Sequence, residues 1–259
     1  MKELANDIAA WLKDYAVKNN RKTFVIGVSG GVDSALVSTL CCRTGISTIG
    51  VILPCQSKEV ETERGIAHIK WLEQFPNFRG EYIDLTKTFE AFARSVPLVY
   101  NDPLAWANTK SRLRMIALYQ IATPAQGLVV GTGNKVEDFG VGFCTKYGDS
   151  GVDISPISDL TKTEVRKMAH ELGVNEQIVT AIPTDGLWND TRTDESQLGA
   201  TYEELEWVMK FLEQNNGWPM ESTISTMAAR QQEVLNVYNK WHNSTRHKFD
   251  PIPTFCRKA

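Results

Sequence analysis

Residues 27–34 hold the residue types that bind phosphate in a glycine-rich turn. They follow an apolar run at 24–26 and lead into apolar residues at 35–37, so the pattern predicts a strand, a turn and a helix. Such a turn presents backbone N–H groups to an anion, glycine allows close approach, and serine hydroxyls add donors. Asp33 could also hold a metal ion against the phosphates. The eight residues are Gly27, Val28, Ser29, Gly30, Gly31, Val32, Asp33 and Ser34.

This turn differs from two better-known phosphate loops. No lysine follows the glycines, as G-x-x-x-x-G-K-[ST] requires, and the spacing does not match G-x-G-x-x-G. The alternative interpretation is an ordinary strand-to-helix turn with Asp33 or Ser34 as the N-cap. That interpretation leaves two serines, two adjacent glycines and an aspartate at this spacing as a coincidence. The phosphate loop is therefore the favoured interpretation.

A second group of polar residues follows a predicted strand in the middle of the chain. The strand at 128–131 runs into a segment that ends at Glu137, and the segments 145–153 and 160–164 follow it. Each segment alone has a plain explanation, such as a turn, a capped helix or a charge on an exposed helix face. Taken together, the segments form a specific pattern.

Lys162 stands in the first turn of a helix that a capping box, Thr161 with Glu164, is predicted to open. The positive end of the helix dipole disfavours a cation there by roughly 0.3–1 kcal/mol. A nearby anion such as phosphate would remove the conflict, although exposed lysines also occur at this position. Lys162 is therefore a candidate phosphate ligand.

The elements that must position these residues alternate between strands and helices, which is typical of an α/β fold. Short apolar strands joined by helices predict an open parallel sheet with helices on both faces, a Rossmann-like arrangement of three layers. Ligands bind such sheets at the carboxyl ends of the strands, where the phosphate loop is expected. Strands are predicted at 24–28, 48–53, 81–84 and 128–131. Helices are predicted at 34–44, 58–74, 86–95 and 103–123.

The whole chain, residues 1–259, is predicted to form a single domain. The core covers about residues 20–180, and the polar, turn-rich residues 184–201 are predicted to form a lid loop. Helices near 202–215 and 219–240 are expected to close the chain.

The composition argues against several classes of partner. The net charge of −3 gives no overall basic field, so nucleic acid is not an expected partner. No apolar run approaches the roughly 20 residues of a membrane helix, so no membrane partner is expected. The N-terminal residues are too polar for a signal peptide. Five cysteines without C-x-x-C spacing indicate reduced thiols and predict a cytoplasmic protein.

The motifs, taken in order, resemble those of the NAD synthetase family in the ATP pyrophosphatase superfamily. The motifs are S-G-G-x-D-S at 29–34, R-x-R-M at 112–115, G-T-x-N-K-x-E at 131–137, T-K-Y-G-D at 145–149 and L-x-K-T at 160–163. The similarity runs from about residue 20 to residue 200, and the His-Lys pair at 247–248 also fits. The T-K-Y-G-D segment, more than the phosphate loop, separates this family from GMP and asparagine synthetases.

The resemblance implies an adenine nucleotide alpha-hydrolase-like fold and a ligase that forms a C–N bond. Members of the family convert deamido-NAD (nicotinic acid adenine dinucleotide) to NAD. ATP adenylates the nicotinate carboxylate, pyrophosphate leaves, and ammonia then displaces AMP. The implied cofactor is Mg²⁺, and ATP is the co-substrate.

The resemblance also bears on the nitrogen source and on assembly. The synthetase motifs begin within about 20 residues of Met1, which leaves no room for the amidase domain of glutamine-dependent members. Free ammonia is therefore the expected donor, unless a separate subunit supplies it. Members of the family form homodimers, so a homodimer is expected here. One face of the helix at 103–123 is a candidate interface, and packing within the core is the alternative.

Roles for individual residues follow from the same resemblance. The phosphate loop would hold the ATP phosphates, and Asp33 with Glu137 would bind Mg²⁺. Asp149 and Lys162 are the implied catalytic residues, because Asp149 would bind ammonium and accept its proton, while Lys162 would contact phosphate. Further contacts with ATP are implied for Thr132, Lys162 and Thr184. Contacts with deamido-NAD are implied for Arg112, Lys146, Asp153, His247 and Lys248, and a role for Arg114 is left open.

Two departures from the family pattern leave assignments open. The interval from Glu137 to Lys146 is one residue longer than usual, so Asp138 is an alternative metal ligand. Pro183-Thr184-Asp185-Gly186-Leu187 stands where the family often has P-T-A-D-L, so the lid contacts near Asp185 are open.

Two competing functions are another ATP-pyrophosphatase ligase with a different acceptor, and a nucleotide-binding sensor without turnover.

Overall fold

The fold is described from a computed structural model, which describes residues 1–188 and 190–257. Its centre is a sheet of four parallel strands in the order β3-β2-β1-β4. The strands are β1 (Thr23–Gly27), β2 (Ser47–Ile52), β3 (Phe78–Tyr82) and β4 (Gly127–Val129). The chain builds outward from β1 to β3 and then returns to the other side of β1. A topological switch point therefore lies between β1 and β4, where such sheets bind ligands.

Helices connect the strands and form the C-terminal part of the chain. Up to β4 they are α1 (Lys2–Lys18), α2 (Val32–Arg43), α3 (Glu59–Leu72), α4 (Thr86–Ser95) and α5 (Pro103–Ala122). After β4 come a π-helix (Lys135–Val141), α6 (Lys162–Glu171), α7 (Glu176–Val179), α8 (Asp194–Leu198), α9 (Tyr202–Gln214), α10 (Glu221–Ile224) and α11 (Ala229–Thr245). Short 3₁₀ helices lie at Leu98–Tyr100 and Arg246–Lys248.

The sheet is covered on both faces because side chains along a buried strand alternate in direction. Phe24 and Ile26 of β1 pack on one face against α1, α2 and α6. Val25 packs on the other face against α4 and α5. All three side chains are completely buried, and each such burial stabilises the fold by about 1.5–3 kcal/mol. The predicted open parallel sheet with helices on both faces is confirmed.

A second apolar cluster joins the π-helix to α9 and α11. Val136 of the π-helix, Leu205 of α9 and Leu235 of α11 are completely buried in it. A capping box between Thr201 and Glu204 begins α9. This cluster brings the C-terminal third of the chain against the edge of the sheet beyond β4.

Four predicted helices, at 34–44, 58–74, 86–95 and 103–123, correspond to α2, α3, α4 and α5 within two residues at each end. Other elements differ from the prediction. β3 begins at Phe78 rather than 81, because its polar residues pair with β2 from Thr48 onward. The predicted helix 219–240 is divided into α10 and α11, and α8 lies within the predicted lid loop. No helix in the described part of the chain has the length and apolarity to cross a membrane.

Candidate active site

A cavity of about 570 Å³ opens at the carboxyl ends of β1 and β4, beside the switch point. This volume is in the range of small-molecule sites. Its walls are the phosphate loop, the residues after β2, one face of α5, part of the π-helix and the segment 181–188. The cavity therefore lies where a parallel sheet of this topology is expected to bind a ligand.

The phosphate loop, residues 27–34, joins β1 to α2 and is shaped by its own serines. Ser34 Oγ accepts a hydrogen bond from Ser29 N–H at 3.1 Å and donates to Gly31 O at 3.0 Å. Ser29 Oγ accepts from Gly31 N–H at 3.2 Å and lies 3.0 Å from Ser34 Oγ. Both hydroxyls thus stabilise the loop itself, and a contact with phosphate would require them to exchange these bonds.

Other donors of the loop are unpaired. In the described residues, the N–H groups of Gly30, Val32 and Asp33 make no hydrogen bond, and Val32 begins α2. Gly30 has φ +83°, and a Cβ there would overlap the backbone oxygen of Glu61, so glycine is required for α3 to pack on the loop. The loop therefore presents free N–H groups and a helix N-terminus, the two features that favour anion binding.

Lys162 lies between two carboxylates that face the loop. Its Nζ donates to Asp33 Oδ2 at 2.6 Å and to Glu137 Oε1 at 2.9 Å, and the residue is 3% exposed. Burial alone lowers the pKa of Lys162, but the charges of Asp33 and Glu137 outweigh burial and raise it above its ordinary value. Lys162 is therefore charged at neutral pH. The sequence predicts an anion near Lys162, and in this structure the carboxylates of Asp33 and Glu137 are that anion. The contact of Lys162 with phosphate stays a prediction.

Asn134 links the phosphate loop to the π-helix that carries Glu137. Its Oδ1 accepts from the N–H groups of Val136 and Glu137, both at 3.1 Å, and so caps the helix. Its Nδ2 donates to Asp33 Oδ1 at 2.9 Å. Asn134 is completely buried, and its amide side chain thus joins the Asp33 carboxylate to the start of the π-helix that carries Glu137.

Tyr202 and Asp194 extend this network toward the predicted lid. Tyr202 OH donates to Glu137 Oε1 at 2.5 Å and lies 3.2 Å from Asp194 Oδ2. Burial raises the pKa of Asp194 to about 7, and the charge of Glu137 adds to the effect. Tyr202 OH has one proton and donates it to Glu137. Protonated Asp194 can then donate a hydrogen bond to the Tyr202 oxygen. The result is a chain of hydrogen bonds from α8 to Lys162.

Asp33 and Glu137 offer hard oxygen ligands beside the phosphate loop. Both side chains are 16% exposed, and Glu137 Oε2 has no hydrogen-bond partner in the described residues. Mg²⁺ is commonly held by one or two carboxylates together with phosphate oxygens and water, so these residues fit it. Asp138 instead lies against Gly133, where an added Cβ would overlap its carboxylate. The structure thus brings Glu137, rather than Asp138, together with Asp33 and Lys162.

Asp149 also lines the cavity and is held in place by hydrogen bonds. Its Oδ1 accepts from Ser111 Oγ at 2.7 Å and from Thr145 N–H at 2.9 Å. A carboxylate oxygen of Asp138 and the Sγ of Cys144 lie within 4.8 Å of an Asp149 oxygen. These bonds leave Asp149 Oδ2 without a partner in the described residues. This oxygen is available to a cationic donor.

The group formed by Asp138, Cys144 and Asp149 is unsuited to Mg²⁺. Burial, and then the charges of Asp149 and Glu137, raise the pKa of Asp138 well above its usual range. Burial raises the pKa of Cys144 to about 12, with a further contribution from Asp138. At neutral pH the Cys144 thiol is therefore protonated, and a thiol is a poor ligand for a hard cation.

Four of the residues predicted to contact deamido-NAD come together at the surface beside the cavity. Arg112 Nε donates to Lys146 O at 3.4 Å, and Lys146 Nζ donates to His247 O. Lys248 lines the cavity, and its Nζ donates to the carbonyl oxygens of Gly142 and Cys144, both at 2.8 Å. Segments more than a hundred residues apart thus form one basic cluster of Arg112, Lys146, His247 and Lys248.

The remaining predicted residues have separate positions. Thr132 and Thr184 line the cavity, and Thr184 Oγ1 donates to Glu61 Oε1 at 2.8 Å, which ties the segment 181–188 to α3. Asp153 is exposed beyond the described lining of the cavity. Its Oδ2 accepts from Val129 N–H at 2.8 Å, and its Oδ1 accepts from Tyr119 OH at 3.0 Å. Arg114 lines the cavity and bonds to the residues after β2.

Comparison with known proteins identifies the family. The sequence model described as NAD synthase matches residues 4–251. This chain belongs to the NAD synthase family. An NH(3)-dependent NAD(+) synthetase of Carboxydothermus hydrogenoformans is 37% identical over 208 residues, which cover 79% of this chain and 83% of that protein. An NH(3)-dependent NAD(+) synthetase of Methanosarcina mazei is 34% identical and covers 96% of both chains.

A solved structure resembles this chain over nearly its full length. It is an NMN synthetase from Francisella tularensis, with a TM-score of 0.84 and 31% identity, covering 98% of this chain and 97% of that one. The family model and these relatives confirm the resemblance inferred from the motifs. The family consists of ligases that use ATP. ATP is accordingly a co-substrate of this chain.

Several residues of the hydrogen-bond networks around Lys162 and Asp149 were not predicted from the sequence. Asn134 stands inside the motif that ends at Glu137, so its place in the motif was an available signal. Asp194 lies within the predicted lid loop and Tyr202 follows it, each at the start of a helix, and nothing nearby in the sequence connects them with Glu137. Ser111 precedes R-x-R-M and gives no local sign of its bond to Asp149.

Proposed function

We propose that this chain uses ATP and ammonia to amidate deamido-NAD to NAD, with AMP and pyrophosphate as the other products. The observation that carries the proposal is the placement of Lys162 between Asp33 and Glu137, opposite the unpaired N–H groups of the phosphate loop. This constellation sits in a member of the NAD synthase family, beside a carboxylate, Asp149, suited to ammonium.

The first step joins the two substrates. A nicotinate carboxylate oxygen attacks the α-phosphorus of ATP, the bond from this phosphorus to the bridging oxygen breaks, and pyrophosphate leaves. The loop N–H groups stabilise the charge that collects on the leaving group, while Lys162 compensates the negative charges of Asp33 and Glu137. Asp33 and Glu137 would hold Mg²⁺, which shields phosphate charge when bound.

The second step forms the amide. Asp149 attracts ammonium through its carboxylate and takes one of its protons, so that the nitrogen lone pair can attack the activated carbonyl carbon. The nitrogen then loses a second proton to water. AMP then leaves with the electron pair of the anhydride bond. Ser111 and the N–H of Thr145 keep the Asp149 carboxylate oriented throughout. Within the basic cluster of Arg112, Lys146, His247 and Lys248, the arginine and the two lysines offer cationic donors for the phosphates of the acceptor.

A second candidate acceptor is the mononucleotide of nicotinic acid. The observation that favours it is the similarity to the NMN synthetase of Francisella tularensis over 98% of this chain. The chemistry would be unchanged, because both acceptors present the same nicotinate carboxylate. Deamido-NAD carries an additional AMP half that the mononucleotide lacks, and this half takes no part in the reaction of the carboxylate.

The proposed assembly is a homodimer formed through the side of the sheet that carries α4 and α5. Leu98, Val99, Leu104 and Ile116 expose 88%, 82%, 59% and 57% of their surfaces there. Such concentrations of exposed apolar side chains commonly mark protein interfaces. Arg112 also lies on α5, so this assembly would place the basic cluster near the partner subunit. The proposed compartment is the cytoplasm, where the buried thiols of Cys41, Cys42 and Cys55 stay reduced.

A product assay tests the proposal. Purified protein is given ATP, Mg²⁺ and ammonium with deamido-NAD or with nicotinic acid mononucleotide, and the amide, AMP and pyrophosphate are quantified. Equal amounts of NAD, AMP and pyrophosphate are expected with deamido-NAD. A kcat/KM larger for the mononucleotide would favour the second acceptor. ATP binding without pyrophosphate release from either acceptor would indicate a sensor instead.

A further inference from the structure

Arg64 stands beside the phosphate loop without a bound partner. It belongs to α3 and lines the cavity. Its Nε is buried, and no hydrogen-bond partner for it occurs in residues 1–188 or 190–257. A buried N–H group without a partner is destabilising, so such groups are normally satisfied by water, by an ion or by a ligand.

Close packing of α3 on the loop determines where Arg64 lies. A Cβ on Gly30 would lie 3.2 Å from the Cβ of Arg64, and a Cβ on Gly65 would lie 3.3 Å from Val28 O. The two glycines let the helix backbone touch the loop backbone directly. The Arg64 side chain therefore starts next to the tip of the loop, on the side of β2.

The other cations along the described part of the cavity wall already have partners. Lys162 is bound by Asp33 and Glu137. Arg114 donates to Leu53 O at 2.9 Å and to Ser57 Oγ at 3.0 Å. Lys248 donates to two carbonyl oxygens. Among these lining cations, Arg64 is the one with a guanidinium N–H that is both buried and unpaired.

We propose that Arg64 binds the β- and γ-phosphates of ATP and the pyrophosphate formed from them. This inference rests on the proposed function, which makes pyrophosphate the leaving group held by the loop. The loop has no lysine of its own, and Lys162 lies on its β4 side. Arg64 supplies a cation on the opposite, β2 side. A planar guanidinium group also matches phosphate oxygens with two parallel hydrogen bonds.

The test is product inhibition in the Arg64→Gln variant, with acceptor saturating and ATP varied. Loss of a charge-assisted contact should raise the inhibition constant of Mg²⁺-pyrophosphate and the KM for ATP by about tenfold or more. The inhibition constant of AMP and the KM of the acceptor should stay within about twofold of wild type, since neither AMP nor the acceptor carries these phosphates. Arg64→Lys, which keeps a charge without the planar fork, should show a smaller rise.

Arg166→Gln is the matched control. Arg166 lies on α6, and its Nε is also buried without a partner in the described residues, but it is not part of the described cavity wall. Its inhibition constants should match wild type. An unchanged pyrophosphate constant in Arg64→Gln, or an equal rise for AMP, would overturn the inference.

Binding of Mg²⁺-pyrophosphate, measured by calorimetry, separates this inference from the proposed function, because it needs no turnover. A wild-type protein that binds pyrophosphate but makes no amide would contradict the proposed function alone. If Arg64→Gln does not fold, Arg64→Lys decides the question, since unchanged pyrophosphate affinity in that folded variant would count against the bidentate contact.

Discussion

At the scale of single residues, charge balance governs this site. Asp33, Glu137 and Asp149 face a cavity that must also accept the polyanionic triphosphate. Lys162 compensates the first two carboxylates, and Asn134 binds that of Asp33. Because a buried charge without a partner is unfavourable, removing one member of this group changes the environment of the others.

Replacing Asp33 by alanine should abolish pyrophosphate release while leaving the fold intact. The carboxylate lies beside the phosphate loop and is a proposed ligand of Mg²⁺, so its loss should lower kcat at least 100-fold. Pyrophosphate release and the circular dichroism spectrum would be measured together. The control is Asp159→Ala, whose side chain is 93% exposed in an ion pair with Lys135. Retained activity in Asp33→Ala would show that the metal assignment is wrong.

Replacing Asp149 by asparagine should impair the ammonia step more than adenylation. Asparagine keeps the size of the side chain and an acceptor for Ser111, but it neither attracts ammonium nor accepts its proton. Overall amide formation should fall about 100-fold, while acceptor-dependent exchange of pyrophosphate into ATP stays within a few-fold of wild type. An equal loss in both assays would exclude the ammonium role.

At the scale of elements, α8 and α9 connect the predicted lid loop, residues 184–201, to the site. Tyr202 begins α9 and Asp194 begins α8, so the hydrogen-bond chain to Glu137 joins the starts of two helices. Capping boxes at Thr193 and Thr201 begin these helices and hold both residues in register. Hydrogen bonds therefore link α8, within residues 184–201, to the Glu137 carboxylate that binds Lys162.

Asp194 should make the folded state less stable as the pH rises from about 4 to about 7. Its pKa is about 7 in the fold and about 4 in the unfolded chain, so across this interval the folded state binds a proton that the unfolded state lacks. Stability therefore falls with rising pH and levels off above pH 7.

Asp194→Asn removes this titration and keeps an N–H donor for Tyr202. The variant should gain about 2–4 kcal/mol over wild type at pH 8 and little at pH 4. Urea unfolding of both proteins at pH 4, 6 and 8 measures the difference. If the difference in unfolding free energy between the two proteins did not change with pH, Asp194 would be ionised in the folded state.

At the scale of the whole molecule, the side of the sheet that carries α4 and α5 remains apolar at the surface. The opposite face is covered by α1, α2 and α6. The exposed residues lie near Arg112 on α5, beside the cavity. Assembly through this side would therefore bring the partner subunit close to the basic cluster that contains Arg112.

Ile116→Glu should shift the proposed dimer toward monomer. The side chain is 57% exposed on α5, and burying a glutamate against a partner's apolar surface is costly. Light scattering after size-exclusion chromatography measures the mass. Val17→Glu is the control, because Val17 is 67% exposed on α1, away from the proposed interface. A wild-type protein that runs as a monomer, or equal effects of both variants, would contradict the assignment of this surface.

Local patterns in the sequence were enough to predict the central architecture. The apolar run before the phosphate loop, the glycines within it and the helix after it correspond to β1, the turn and α2. The capping box at Thr161 begins α6 as predicted. β3 was misplaced because its polar residues show little apolar alternation, so its bounds depend on pairing with β2.

The sequence by itself determined the family, the sheet and the phosphate loop, because each depends on neighbouring residues in a short segment. Tertiary structure decided which side chains meet. Lys162 bonds Asp33 across 129 positions, and Tyr202 reaches Glu137 across 65. It also placed Glu137 rather than Asp138 beside Asp33, and it set Arg64 next to the loop. Such contacts depend on how whole helices pack against the sheet, and no local pattern encodes that packing.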